Sequence, residues 1–356
     1  MFTSLEYDPA SSPSSELPDD DSFDFSVISG DSVREIVAEG YAELVEVVRD
    51  AYLGHADGLH HNPPSHFLRF DDRPLDRIIA LPADLGQAKG IAGIKWIASW
   101  PENVERGIPR ASAVLVLNRR DTGYPFCVME ASIISAARTA ASAVLALEQL
   151  GTGRVPVRPR VGIVGCGLIA RYIVDMMRAR AIFPGLIQAF DLSPDDAVRL
   201  LAHAGPAAAA APAESLEAMV RTSDVVVFAT TASKPHVHDP GWFGHCPLIL
   251  NISLRDLDPG IVLSADNVVD DIDHCLQAQT SVHLAEQRRG SRDFITGTIA
   301  QAVRETLSFD PGRPLIFSPF GMGILDLAVG SFVYRRAART GARTAIPGFF
   351  GERRRW

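Results

Sequence analysis

Arg160-Val-Gly-Ile-Val-Gly-Cys-Gly-Leu-Ile-Ala-Arg171, followed by Leu186-Ile-Gln-Ala-Phe-Asp191, is the stretch on which the fold turns. It reads as a buried strand, a tight glycine turn, a helix, and a second strand ending in an acid. Each residue type has a physical reason to be there. Gly165 permits the turn, Gly167 leaves room for backbone to approach a pyrophosphate, and Ala170 lets the helix pack close to the sheet. The first turn of that helix, with Leu168 and Ile169, offers free N–H groups and the positive end of a dipole to phosphate. Asp191 lies 26 residues after Gly165, where a carboxylate accepts from a ribose 2′-hydroxyl and repels a 2′-phosphate. The pattern therefore predicts a dinucleotide site that favours NAD. A plain strand–helix turn in an α/β protein is the bland alternative.

Working outward, later segments read as further parallel strands: Val225-Val-Val-Phe-Ala-Thr230 and Leu248-Ile-Leu-Asn-Ile-Ser253 are continuous apolar runs, as buried strands are. Thr230, Thr231 and Ser233 follow a strand end and are expected to line the cofactor. The alanine run 207–211 reads as a surface helix end or loop. Before the nucleotide motif the pattern differs. Residues 24–57 carry helical spacing, capped at Asp31 or Ser32. Strand patterns follow over 66–70, 77–81, 93–98 and 113–117, then an alanine-rich helix over 132–150. A last apolar helix, 325–338, has no place in a nucleotide fold and is expected to return to the first domain. The chain is thus expected to be α/β, a Rossmann-type doubly wound parallel sheet plus a second α+β domain for substrate binding and dimerisation. The expected boundaries are a disordered tail 1–22, the discontinuous second domain 23–153 and 311–345, the nucleotide domain 154–310, and a tail 346–356.

Composition narrows the function class. A length of 356 residues supports two cores, and a net charge of −9 argues against a nucleic-acid partner or a polybasic membrane surface. No apolar stretch reads as a membrane span of about 20 residues, and residues 1–21 lack the pattern of a signal peptide. Cys127, Cys166, Cys246 and Cys275 are widely spaced, so neither a zinc site nor a disulfide framework is indicated; no metal is expected, and the compartment is expected to be the reduced cytoplasm.

A bound nicotinamide needs a substrate carbon held against it. Lys95 is a cation among apolar neighbours in a strand; it either pairs and works there or snorkels from an edge. Arg138, on the alanine-rich helix, suits a carboxylate fork or an interdomain ion pair. Arg110 precedes a strand. Ser65, Phe67 and Arg69 alternate onto one strand face. Asp256, just past a strand end, is a general acid/base candidate or a helix-capping acid.

These motifs together resemble the ornithine cyclodeaminase/mu-crystallin family, over about residues 24–345. The likeness rests on Gly93-Ile-Lys-Trp96, Thr122-Gly-Tyr-Pro125, Arg138-Thr-Ala-Ala141, the Gly165–Ala170 loop and Ile324-Leu-Asp-Leu-Ala328. It implies an NAD(P)-binding homodimer that oxidises the Cα–N bond of an amino acid, with Lys95 and Asp256 catalytic and Arg138 on the substrate carboxylate. Cyclodeaminases and alanine dehydrogenases carry Arg at the position of Ser65 and Thr at that of Arg110. Asn62-Pro-Pro-Ser-His-Phe-Leu-Arg-Phe70, Arg106-Gly-Ile-Pro-Arg-Ala-Ser112 and Asn251-Ile-Ser-Leu-Arg-Asp256 instead resemble the 2,3-diaminopropionate branch of siderophore and antibiotic pathways. That branch implies oxidative hydrolysis of N-(2-amino-2-carboxyethyl)-L-glutamate to 2-oxoglutarate and L-2,3-diaminopropionate. Its three carboxylates match Ser65, Arg69, Arg110, Lys95 and Arg138 as a substrate cleft better than a small amino acid would. A cyclodeaminase, an alanine-type dehydrogenase and a non-catalytic binding protein are the alternatives.

Overall fold

The computed structural model describes residues 23–205 and 209–354; the tail expected at 1–22 lies outside them. The chain opens with β1 (Ser26–Ile28), α1 (Gly30–Glu39) and α2 (Tyr41–Ala56). The single helix expected over 24–57 is therefore a short strand and two helices. The break is at Gly40, where an added Cβ would stand 2.7 Å from the Phe332 ring. The cap of α1 is Ser29, whose hydroxyl accepts from the Ser32 N–H, rather than Asp31 or Ser32. Then come β2 (His66–Phe70), β3 (Arg73–Asp84), α3 (Gly86–Lys89), β4 (Ile91–Ser99), β5 (Ala111–Arg119), β6 (Pro125–Glu130) and α4 (Ser132–Gly151). The strand β6 is an addition to the sequence reading.

The second half alternates β7 (Arg160–Val164), α5 (Leu168–Ala179), β8 (Leu186–Phe190), α6 (Pro194–Ala204), β9 (Ala209–Pro212), α7 (Leu216–Thr222), β10 (Val225–Phe228) and β11 (Leu248–Asn251). It continues with α8 (Pro259–Leu263), β12 (Asp266–Val269), α9 (Ile272–Cys275), α10 (Ser281–Arg289), β13 (Ile295–Thr298), α11 (Ile299–Val303) and β14 (Leu315–Ser318). The chain ends in α12 (Gly323–Thr340) and β15 (Thr344–Ala345). Part of the alanine run is thus an edge strand, β9, paired in parallel with β8.

Among the described residues the strands form two sheets. One runs β15-β1-β6-β5-β4-β3-β2; the other runs β13-β12-β14-β11-β10-β7-β8-β9, parallel throughout. The order reverses between β7 and β10, which opens a crevice at their carboxyl ends. β14 lies inside the second sheet, between β11 and β12. The chain therefore leaves that sheet only after residue 318, not at 311 as the sequence suggested. α12 then packs on α2, β3 and β4 of the first sheet.

α4 corrects a further expectation. By length and composition it is apolar enough to cross a membrane, yet 72% of its apolar window is buried inside the fold. Within the tail expected at 346–356, residues 346–354 are described and make aromatic contacts with the first domain. The Phe349 ring stacks on Phe25 at 3.7 Å, and Phe350 meets Tyr124 edge-on at 5.0 Å.

Candidate functional site

The glycine turn after β7 has the shape a dinucleotide requires. Gly165 sits at φ +85°, and a Cβ there would lie 2.7 Å from the Ala229 carbonyl oxygen. Only glycine meets both demands. At Gly167 an added Cβ would meet nothing within 4 Å, and α5 starts there with no side-chain cap. The helix N–H groups thus face open space, with Leu168 exposed and Ile169 packed against the core. Asp191 ends β8 beside this turn. Its Oδ2 accepts from the Cys166 N–H at 2.7 Å and its Oδ1 from the Ser193 N–H at 2.9 Å, which fixes the carboxylate in place. Asn251, fully buried at the end of β11, donates to Ser318 Oγ, while its Oδ1 has no protein partner among the described residues. A polar atom left so at the carboxyl end of a parallel strand suits a ligand group. These residues fit a dinucleotide.

Across from this sheet, Lys95 does not snorkel. It is 1% exposed, and its ammonium donates to Asp326 Oδ2 at 2.6 Å and to Ser135 Oγ at 3.1 Å. Arg138 donates from Nε to Asp326 Oδ1 at 3.3 Å. One buried carboxylate therefore serves two cations, which leaves a net positive charge at the cluster. Burial pushes the Lys95 ammonium down to about 8 against the pull of Asp326, with Arg138 adding to the lowering. Such a group binds a carboxylate when charged and changes state near neutral pH. The guanidinium of Arg138 is pressed against Gly321, at φ +93°, where a Cβ would lie 2.3 Å from its nitrogen. Gly321 in turn donates its N–H to buried Asp270, at the end of β12. The cluster is so braced from both sheets.

Asp256 is not a helix cap; Asp258 caps α8. Asp256 is fully buried and accepts from Thr230 Oγ1 at 2.6 Å, from His236 Nε2 at 2.9 Å and from the Ser253 hydroxyl. It forms a polar centre at the ends of β10 and β11. Thr230 is part of that centre, while Thr231 and Ser233 lie exposed beyond it.

Arg69 and Arg110 lie farther along the first sheet. Arg69 stacks over the Phe67 ring at 5.1 Å, so the two share a face as the alternation predicts. Arg110 donates to Ser99 Oγ at 3.0 Å. Ser65 immediately precedes β2 and is partly exposed. Sequence reasoning gave no role to Asp326, Ser135 or His236. The signal for Asp326 was an acid inside the apolar run Ile324-Leu-Asp-Leu-Ala328.

Known proteins resemble this chain over most of its length. The model of the ornithine cyclodeaminase/mu-crystallin family matches residues 31–341. The chain is 29% identical over 316 residues to N-((2S)-2-amino-2-carboxyethyl)-L-glutamate dehydrogenase of Staphylococcus aureus, covering 85% of this chain and 92% of that one. It is 29% identical over 309 residues to alanine dehydrogenase of Archaeoglobus fulgidus, covering 83% and 90%. Among solved structures, an archaeal alanine dehydrogenase dimer with bound NAD superposes with a TM-score of 0.80 at 25% identity, over 92% of this chain and all of that one.

Proposed function

The chain belongs to the ornithine cyclodeaminase/mu-crystallin family, and we propose that it performs the NAD-dependent oxidative hydrolysis of N-(2-amino-2-carboxyethyl)-L-glutamate. The products are 2-oxoglutarate and L-2,3-diaminopropionate, a building block for siderophore or antibiotic synthesis. At the coarser level the chain is an NAD-dependent oxidoreductase acting on the CH–NH bond of an amino acid. Gly165, Gly167, the first turn of α5 and Asp191 would hold NAD, which would supply the hydride acceptor.

The observation that carries the substrate assignment is the cation balance. Lys95 and Arg138 share one acid, which leaves one positive charge for one carboxylate. Arg69 and Arg110 make no ion pair with any described residue, so further carboxylates are wanted beyond it. A small amino acid would leave those guanidiniums unmatched, which is costly for Arg110, the partly buried one. Lys95 and Arg138 grip the glutamate α-carboxylate and hold the reacting carbon. Asp256 takes the proton from the water that adds to the imine, and His236, whose Nε2 lies 2.9 Å from that carboxylate and whose ring is 36% exposed, connects the acid to solvent. The carbinolamine then collapses, its C–N bond breaking to give the ketone and the primary amine.

The enzyme is further proposed to work as a cytoplasmic homodimer. The sheet face opposite Lys95 exposes Leu68, Trp96 and Val114, an apolar strip of the kind a second subunit covers.

The test is direct. Protein, NAD and N-(2-amino-2-carboxyethyl)-L-glutamate should yield NADH and 2-oxoglutarate, and ornithine and alanine should yield neither product nor NADH. Lys95→Ala should abolish turnover while NAD still binds. NADH from alanine, or proline from ornithine, would reject the substrate assignment; silence with every substrate would favour a binding protein.

A further inference from the structure

The cations on the first sheet extend beyond those named so far. Arg69 on β2 lies directly opposite Arg77 on β3, and Arg77 directly opposite Ser99 on β4. Directly opposed residues share a face, and Ser99 is the residue to which Arg110 donates. Three guanidiniums therefore gather on one patch. Lys95 is four residues before Ser99 on β4 and so faces the same side, roughly 13 Å away along the strand. Like charges set opposite each other across a sheet destabilise it. Among the described residues neither Arg69, Arg77 nor Arg110 makes an ion pair.

The fourth member comes from the other sheet. Arg255 follows β11, and its Nε and Nη2 both donate to the Ala278 carbonyl. The backbone that presents it is strained: Leu254, Ala278 and Gln279 all sit at positive φ, at +75°, +52° and +56°. Non-glycine residues are held so where the surroundings over-determine them, often at ligand clamps. Its neighbour Asp256 pins the loop through Thr230, His236 and Ser253. Burial lowers the pKa of Arg77, Arg110 and Arg255, and each is lowered further by another member of the group: Arg77 by Arg69, Arg110 by Arg77, Arg255 by Arg77 and Arg69. Arg69 and Arg77 thus act on Arg255, on the loop at the carboxyl end of β11, as Arg77 does on Arg110, and among the described residues none of the four makes an ion pair with an acid.

We infer that Arg69, Arg77, Arg110 and Arg255 form a single dicarboxylate subsite, closed from the second sheet by Arg255, which binds the distal carboxylates of the substrate. This rests on the reading of the first carboxylate at Lys95 and Arg138. It adds Arg77 and Arg255 as specificity residues and makes the ligand itself the bridge between the two sheets. A carboxylate in the patch accepts charge-assisted, bidentate bonds from guanidiniums and removes their repulsion. A monocarboxylate would leave most of the four without a counter-charge.

Glutarate is the probe, since it carries two carboxylates and no reacting amine. Titrated calorimetrically into the NAD-loaded enzyme, it should bind at least ~10-fold more tightly than butyrate. Arg77→Gln and Arg255→Gln should each weaken glutarate ~10-fold or more, with NAD affinity held and the thermal midpoint of the ligand-free protein not lowered. Each should also raise the substrate KM more than it lowers kcat. Glutarate binding no better than butyrate, or equally well to both variants, overturns the subsite. The two readings separate cleanly. Turnover of the proposed substrate with KM unmoved in both variants keeps the reaction and rejects the subsite. Arginine-dependent glutarate binding without turnover keeps the subsite and rejects the reaction.

Discussion

Asp326→Asn is the substitution that most directly tests how the Lys95 cluster works. The side chain it removes is fully buried and is the acid that both Lys95, at 2.6 Å, and Arg138, at 3.3 Å, reach. Asparagine keeps the shape and one acceptor but not the charge. Breaking a buried pair from one side costs roughly 3–5 kcal/mol. Lys95 can shed its proton in response, so a stability loss of about 3 kcal/mol is expected. The effect on function follows from the same proton. Burial already holds Lys95 down to about 8, and Asp326 is the main force opposing that. An opposite charge at this range supports the charged form by ~1–3 units. If its loss lowers Lys95 by ~2 units, the ammonium share at pH 7.5 falls from about three quarters to roughly 3%. Since the ammonium grips the substrate carboxylate, kcat/KM in the wild type should fall on the alkaline side around pH 8. In Asp326→Asn that limb should move ~2 units toward acid, with kcat/KM at pH 7.5 down at least ~25-fold. The assay is kcat/KM against pH for both proteins, with folding followed by a chemical melt. An alkaline limb that stays in place while stability drops would refute the reasoning and leave Asp326 a merely structural acid.

The two loop glycines should separate folding from binding. Gly165→Ala must adopt φ +85° and approach the Ala229 carbonyl, so a loss of more than ~1 kcal/mol in stability is expected. Gly167→Ala meets no protein atom, so its melt should match wild type while NAD affinity falls ~10-fold or more; wild-type NAD affinity would reject the pyrophosphate cradle. Asp271 after β12 joins His55 of α2 at 2.9 Å, and that bond holds its carboxyl down to about 2. A depressed carboxyl adds stability that is whole above the unfolded value of 3.8 and is lost as pH falls through about 2. Solvent screening at this partly exposed pair reduces the contribution to about 1 kcal/mol. Asp271→Asn should therefore unfold earlier than wild type in urea at pH 7, with the gap closing as pH drops through the window from 3.8 toward 2; a gap independent of pH would reject the pair's role.

What could be read from sequence was what is local. The glycine turn, the strand before it and the acid after it lie within one short unit, and their spacing carries their geometry. Lys95 was legible because a cation inside an apolar strand is costly wherever the strand goes. Asp326 was not, although the run around it was noticed. Its partner is 231 residues away, and an acid in the first turn of a helix also has a plain local explanation in the helix dipole. Gly40 was missed for a similar reason: the apolar period runs straight through it, and only the Phe332 ring arriving from α12 makes a break there necessary. Arg77 looks like an ordinary polar position in an alternating strand until register sets it against Arg69.

That register bears on why the chain tolerates such an arrangement at all. Two arginines facing each other across β2 and β3, with a third beside them and a fourth on the loop after β11, weaken the protein when no anion lies among them. Nothing in the fold demands arginine at these places, since the first sheet packs α12 and α4 through apolar residues. Elsewhere the same chain balances its charges readily: Arg180 meets both Glu46 and Glu148, and Arg304 meets Asp57 at 2.6 Å. A crevice that gathers four arginines, none with an ion pair among the described residues, has a local conflict, and such conflicts concentrate where function requires them. The Lys95 cluster repeats the logic on a smaller scale, with two cations to one acid. Each end of the face is therefore short of negative charge, by one at Lys95 and by more at the arginines. A ligand that satisfies both ends must be long and carry more carboxylates than ammonium groups at its distal end. Ornithine would bring a terminal ammonium with no carboxylate beside it, a fifth uncompensated positive charge, whereas the proposed substrate brings two distal carboxylates against its one ammonium, and that difference sets ornithine aside.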